Sequence, residues 1–132
     1  IFLDQATKFL ARKFLQLNNP VPLIKNFFNL TLVHNRGAAF GMFQNQLFMF
    51  VLISIFAIAL IIYCLRDKKN SLIFKVSLSL ILGGATGNLI DRARFGFVID
   101  FLDLRVWPVF NLADSVITIA AILLSWELLS HR

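Results

Sequence analysis

Cysteine is almost missing from this chain of 132 residues. Cys64 stands alone, so no intrachain disulfide can form. It sits inside an apolar run, and nothing near it suggests a nucleophile. Histidine is also scarce, with only two in the chain. There is no His/Cys ligand set, and scattered aspartates without a spacing logic do not replace one, so neither metal nor cofactor is expected. Acidic side chains number 7 against 13 basic ones, giving a net charge of +6. No basic helix or aromatic RNA-binding motif accompanies that charge, so nucleic acid is not an expected partner. No cleavable targeting segment is visible in these residues either, because the apolar core of "IFLDQATKFLARKF" is too short to read as a signal peptide.

What the chain has in excess is apolar surface. Hydrophobic residues make up 58% and the mean hydropathy is +0.77, where soluble domains sit near about 45–50% apolar. The excess calls for lipid as solvent. Leu47–Leu65 is a run of 19 residues whose only polar member is Ser54. As a helix it reaches about 28 Å, close to the hydrocarbon thickness. Leu72–Ile90 is a second span, with Lys75 placed to snorkel and Gly83 and Gly87 forming a G-x-x-x-G pair for helix packing. Val109 to about Ser130 is a third, its far end marked by Glu127, His131 and Arg132. Ile1 to about Leu17 is too short and too charged to cross alone, and reads as the truncated remainder of a first helix. The expected fold is therefore mainly α and integral to the membrane. It is a four-helix transmembrane bundle forming one domain over residues 1–132, with a small β-sheet on the outer face.

Arg66, Lys68, Lys69 and Lys75 put the connection between the second and third helices in the cytoplasm, and with it both termini. The connections at about 18–46 and 91–108 then share the outer face. "LIKNFFNLTLVHN" and "VIDFLDLRVW" alternate loosely and are rich in strand formers, so they are expected to build the sheet.

This topology gathers Asn35, Asn88, Asp91, Arg92, Asp100, Asp103, Asn111 and Asp114 into one layer, although they are scattered along the sequence. Asn111 and Asp114 share a helical face by their i, i+3 spacing, as do Asn88, Asp91 and Arg92. Blander roles fit several of them. Asp91 and Arg92 suit a structural ion pair, Asn88 a polar helix cap, Asp103 a solvated loop charge, and His34 a surface strand position. Asp114 resists such a reading, because an ionisable group one turn into an apolar helix by default marks a functional site. Ser115 has no histidine or lysine at a suggestive spacing, though a Ser–Lys pairing across helices stays open. Two aspartates sharing one proton would hydrolyse a peptide without metal or covalent intermediate. The ionised member takes a proton from water while the protonated one donates to the carbonyl oxygen. A small transporter, or a scaffold pairing helices through Gly83 and Gly87, are the alternatives. A transporter would need polar groups through the whole depth of the bundle, whereas the apolar runs Leu47–Leu65 and Ala120–Leu124 make the cytoplasmic half look dry.

Five motifs occur in order: "DQATK" from Asp4, "NRGAAFG" from Asn35, "GGATGNLIDR" from Gly83, "VIDF" from Val98 and "FNLADS" from Phe110. Together, over nearly the whole chain, they resemble the bacterial lipoprotein signal peptidases, the signal peptidase II family. That resemblance implies a four-helix aspartic endopeptidase of the bacterial inner membrane, acting near the outer face. Its implied substrate is a prolipoprotein cut just before a cysteine already carrying diacylglycerol. It implies Asp100 and Asp114 as the catalytic pair, and site-shaping roles for Asn35, Gly37, Asn88, Arg92 and Asn111. Asp4, Lys8 and Asp91 are expected to make structural polar contacts. The resemblance further implies globomycin as an inhibitor and membrane lipid as a partner, and a monomer is expected.

Overall fold

A computed structural model describes residues 1–39 and 42–130. The chain runs α1 (Phe2–Phe14), β1 (Val21–Ile24), β2 (Phe28–Asn35), α2 (Leu47–Leu65), α3 (Leu72–Phe95), β3 (Val98–Asp103) and α4 (Leu112–Ser130). Three of the helices, α2, α3 and α4, are long and apolar enough to cross a membrane. α2 leaves almost its whole surface outside the protein, with only Ile61 buried. A helix apolar on all sides and packed on one neighbour belongs in lipid. α3 is the central element, touching α1, α2, α4 and β3.

The three strands form one antiparallel sheet in the order β1-β2-β3. Along β3 the faces alternate. Ile99 and Phe101 join Ala11 of α1 and Leu32 of β2 in the main core cluster. Val98 and Asp100, on the other face, line a cleft.

Several boundaries differ from the sequence expectation, each for a local reason. α3 does not stop at Ile90 but runs on to Phe95 and ends where Gly96 adopts the left-handed conformation (φ 76°). The charged tail of α3 is tolerated because Asp91 is buried against Lys8, while Arg92 and Arg94 sit in the last turn, where the helix dipole favours cations. The second outer connection therefore begins at Gly96, not at residue 91. α4 starts at Leu112, not at Val109, because Phe110 exchanges backbone hydrogen bonds with Leu102 of β3 and Asn111 caps the helix. α1 ends at Phe14, since Leu15 turns extended.

The glycine pairing also shifts by one residue. Gly83 faces open space, with its nearest neighbour, the Ile1 nitrogen, 3.9 Å from a hypothetical Cβ. The close approach to α4 falls on Gly84, where a Cβ would lie 2.6 Å from Ile117 and 2.9 Å from the Ala113 carbonyl. Gly87 faces the Asp4 carboxylate instead.

The far end of the bundle is not dry. Glu127 is buried in α4 and accepts a hydrogen bond from Ser71, the N-cap of α3, and Ser77 Oγ is buried there without a partner. Glu127 therefore belongs to the packed end of the bundle and is not a mere span marker. His131 and Arg132 lie outside the described residues. Between the two polar ends the buried positions are small or apolar, as at Leu78 and Ala120.

Candidate active site

The site is assembled from both ends of the sequence around the start of α4. Asn111 is the N-cap, and its Oδ1 accepts from the Asp114 backbone N at 3.0 Å. Asp114 reciprocates, accepting from the Asn111 backbone N at 3.2 Å. This is the reciprocal arrangement of a capping box, written here with Asn and Asp. A second orphan N–H of the first turn, that of Ala113, donates to Asp4 Oδ1 at 3.1 Å. Asp4 thus caps a helix more than a hundred residues away.

Asn111 also faces the sheet. Its Nδ2 donates to Asp100 Oδ1 at 2.8 Å and to Asn88 Oδ1 at 3.0 Å. Asn88 Nδ2 donates to Asp114 Oδ1 at 2.9 Å. Asn35 Nδ2 donates to Asp100 Oδ2 at 3.1 Å, and Asn35 Oδ1 is fixed by the Gly37 backbone N at 2.9 Å. A side chain at Gly37 would collide with the Met42 carbonyl 2.6 Å away, so the turn requires glycine. Phe40 and Gly41 of the same motif lie outside the described residues.

The two aspartates are therefore joined through Asn111 and flanked by Asn35 and Asn88. Asp100 is 2% exposed. Burial pushes its carboxyl up to about 7, and the neighbouring charge of Asp114 pushes in the same direction. The hydrogen bonds from Asn35 and Asn111 and the more distant Lys8 charge offset part of this. Both carboxylates line a cleft of about 280 Å³, bounded also by Asn35, Gly37, Asn88, Arg92 and Trp107. A second, largely apolar cleft of about 360 Å³ shares Trp107, Phe110, Asp114 and Thr118 with it.

Beneath this layer lies a separate ionic one. Lys8 is 1% exposed and bridges Asp4 at 3.0 Å and Asp91 at 2.9 Å, with a third bond to Asn88 Oδ1 at 2.9 Å. The three hydrogens of the ammonium thus meet three acceptors. Gln5 ties the layer together, donating to Asp4, to Asp91 and to the Gly87 carbonyl. Asp91 finally accepts from the Ile99 backbone N at 3.0 Å and so fixes β3 beside α3.

Several sequence expectations change here. Asp91 pairs with Lys8 and not with Arg92, because successive helical residues point in different directions. The Arg92 guanidinium instead lies 5.0 Å above the Phe50 ring of α2. Asn88 is no terminal cap but a mid-helix bridge between Lys8, Asn111 and Asp114. Asp103 is no free loop charge. It ends β3, accepts from Thr31 Oγ1 at 2.7 Å and closes a turn on the Arg105 N. His34 does lie on a strand, but its ring stacks on Phe97 at 4.0 Å. Ser115 Oγ donates to the Asn111 carbonyl, an ordinary helical contact, and Cys64 is at the opposite end of α2. Among the described residues no three His, Cys, Asp or Glu side chains gather as metal ligands. Gln5 and Gly84 are not among the residues the sequence analysis singles out. Gln5 lies inside the quoted "DQATK", so the motif itself was the available signal.

An apolar bundle with a buried Asp100 and a half-buried Asp114 on a cleft at one end is the framework of a membrane protein with a polar site, and its likeness is to membrane enzymes. The model for Signal peptidase (SPase) II matches residues 1–130. The chain belongs to the signal peptidase II family, the peptidases that take signal peptides from prolipoproteins. It is 50% identical over 131 residues to the lipoprotein signal peptidase of Moorella thermoacetica, covering 96% of this chain and 85% of that one. It is 45% identical over 135 residues to that of Burkholderia mallei, covering 96% and 81%. Among solved structures it resembles a bacterial membrane enzyme determined by the in meso method. The TM-score is 0.91 at 34% identity, with 98% of this chain and 82% of the other covered.

Proposed function

We propose that this chain is an aspartic endopeptidase that cuts diacylglyceryl-modified prolipoproteins just before the lipid-modified cysteine, with Asp100 and Asp114 as the water-activating pair. The observation that carries the reading is Asn111. Its side-chain Nδ2 donates to the Asp100 carboxylate at 2.8 Å, and its backbone N donates to the Asp114 carboxylate at 3.2 Å. That holds two acids from different elements beside one cleft.

The chemistry follows from their surroundings. Asp100 lies deeper in the protein, and with a pKa of about 7 it carries the shared proton. Asp114 stands in the first turn of α4, where the helix N-terminus supplies partial positive charge to a carboxylate. Ionised Asp114 takes a proton from water as the oxygen attacks the scissile carbonyl, and Asp100 gives its proton to the carbonyl oxygen. On collapse of the tetrahedral intermediate Asp114 passes the proton it took from water to the departing amine, and Asp100 recovers a proton from the hydroxyl as the carboxyl product forms, so the pair ends with one shared proton, as it began. Asn35, Gly37, Asn88, Arg92 and Asn111 shape the cleft. Asp4, Lys8 and Asp91 hold its base.

The substrate's lipid anchor keeps it in the bilayer. The apolar cleft along Leu104, Trp107 and Ile119 suits acyl chains entering from the side. Anchoring the substrate there supplies orientation at the dyad. The orientation that fits is the sheet outside, termini inside, in the inner membrane of a bacterium, with the enzyme acting as a monomer. Globomycin would compete for the same cleft.

The test is cleavage of a diacylglyceryl prolipoprotein by purified protein in lipid. Asp100→Asn and Asp114→Asn are each expected to abolish turnover while melting stays cooperative. Near-normal turnover in either variant defeats the dyad assignment.

A further inference from the structure

A ladder of cations and aromatic rings, whose rings pack against the main core cluster and not into the cleft, is unused by the proposed chemistry. Arg12 lies over the Phe95 ring at 4.3 Å, and Arg94 lies over the same ring at 4.9 Å. Phe95 stacks with Phe97 at 5.8 Å, and Arg36 lies over Phe97 at 5.4 Å. Arg12 belongs to the last turn of α1, Arg94 to the last turn of α3, and Arg36 directly follows β2. Three segments remote in sequence thus present exposed guanidinium groups on one half-buried aromatic base.

The rings orient these groups and attract them weakly, but they do not neutralise them. Among the described residues the carboxylates are engaged elsewhere. Asp4 and Asp91 hold Lys8, and Asp100 and Asp114 face asparagines. Asp103 takes Thr31, Glu127 takes Ser71, and Asp67 closes its own turn on the Lys69 N. Among the described residues, what faces the ladder is the partial negative charge of the carbonyls ending α1 and α3. Lys13, also exposed in the last turn of α1, adds a further positive charge nearby. The His34 imidazole, stacked on Phe97, reports the same field. Burial first, then Arg12 and Arg36, hold it below the ordinary histidine pKa.

Position supplies the partner. α3 is long and apolar enough to cross a membrane, and at 24 residues it outreaches the hydrocarbon core, which leaves its charged last turn for the headgroup region. In the orientation proposed above this is the outer face, where basic residues are ordinarily sparse. Guanidinium forks match phosphate oxygens in a bidentate way that ammonium groups do not. We propose that Arg12, Arg36 and Arg94 form a site for the phosphate of an anionic membrane phospholipid, separate from the substrate cleft. A headgroup seated there would cross-link α1, α3 and the end of β2. Arg36 follows Asn35, the donor to Asp100, so a resident lipid would also steady that donor. The site itself needs only the membrane setting and is independent of the aspartate chemistry.

The test reads lipid binding and not cleavage. Purified full chain in neutral detergent is titrated with short-chain phosphatidylglycerol, or with phosphatidylcholine, and bound lipid is counted by native mass spectrometry. The expected result is tighter binding of phosphatidylglycerol. Arg12→Gln, Arg36→Gln and Arg94→Gln should each weaken it about fivefold, and the combination roughly a hundredfold. Arg36→Lys should recover part of the loss, since it restores charge without the fork. Lys25→Gln with Arg105→Gln, which removes charge elsewhere on the same face, should leave binding unchanged. Three results overturn the proposal: a triple variant that binds like the parent, a control pair that loses as much, or displacement of the lipid by inorganic phosphate at equal concentration. Where the triple variant does not melt cooperatively, the three single variants decide.

Discussion

Replacing Lys8 by Met tests whether the ionic layer holds the site in place. The methionine keeps the length of the stem and removes the ammonium. In the parent all three ammonium contacts lie between 2.9 and 3.0 Å, and the group is 1% exposed. Asp4 would keep the Ala113 N and Gln5, and Asp91 would keep the Ile99 N and Gln5. Neither would keep a cation. Leaving a buried charge without its partner costs about 3–5 kcal/mol, a large share of a typical folding free energy of about 5–15 kcal/mol. Neutralising the carboxylates as well should return much of that loss, because a fully neutral cluster avoids the desolvation penalty. Asp4→Asn/Lys8→Met/Asp91→Asn is therefore expected to be more stable than Lys8→Met alone. The assay is reversible unfolding in mixed micelles, followed by tryptophan fluorescence. A loss below about 1 kcal/mol for Lys8→Met, or a triple variant no better than the single, would refute the idea that the pair of salt bridges is a fully desolvated unit.

The remaining expectations are shorter. Cleavage should fall as pH rises through about 7, as Asp100 loses the shared proton, and should fall again in acid, when both members are protonated; a pH–rate profile flat across neutrality contradicts this. Asp100 binds its proton more tightly folded than unfolded, so its contribution to stability is complete below 3.8 and is lost as pH rises through about 7. Asp100→Asn should flatten that part of the stability–pH curve. Gly84→Ala should cost about 1–3 kcal/mol by forcing α3 from α4, whereas Gly83→Ala should be nearly neutral in the same unfolding assay. Cys64→Ser should leave prolipoprotein cleavage intact, since the thiol lies at the end of α2 away from the dyad.

What was legible in the sequence follows the range of the forces involved. α2 could be read to the residue because its hydropathy changes abruptly at Gln46 and Arg66. The end of α3 is not legible in its hydropathy, which falls at Asp91 before the helix stops. The actual stop is conformational, at Gly96, while the buried charge of Asp91 is matched by a lysine from α1. Helical spacing correctly put Asn111 and Asp114 on one face. It could not show that Asp4 caps α4, or that Lys8 meets Asp91, because no local rule links residues so far apart. Gly83 and Gly87 satisfied a spacing rule, but the neighbour's position decides which glycine is pressed, and Gly84 was chosen by Ile117. Asp103 looked solvated until β2 brought Thr31 alongside.

The division of labour among the charges explains why the site is built with so many amides. Four buried or half-buried carboxylates meet at this end of the bundle: Asp4, Asp91, Asp100 and Asp114. Lys8 contacts only the first two, and those salt bridges make a neutralised foundation. Asp100 and Asp114 receive their side-chain hydrogen bonds from Asn35, Asn88 and Asn111, which are uncharged. An amide satisfies a carboxylate oxygen and fixes its direction without supplying a full positive charge. Had Lys8 or Arg92 bonded directly to the pair, a full positive charge would have opposed the burial, and the lesser mutual repulsion, that retain a proton near neutrality, and the acid needed by the proposed mechanism would have been lost. Asn88 sits on the boundary between the layers, taking the Lys8 ammonium on Oδ1 and giving Nδ2 to Asp114. Asn88→Asp would introduce a third carboxylate beside the pair and pull Lys8 toward it. Asn88→Ala would leave Asp114 and Lys8 each short of one partner. Turnover should fall in both, but only Asn88→Asp should also displace the basic limb of the pH profile, since it alone changes the charge the dyad feels. An identical shift in both variants would mean that Asn88 acts through position alone and that the electrostatic separation of the two layers is not what sets the proton.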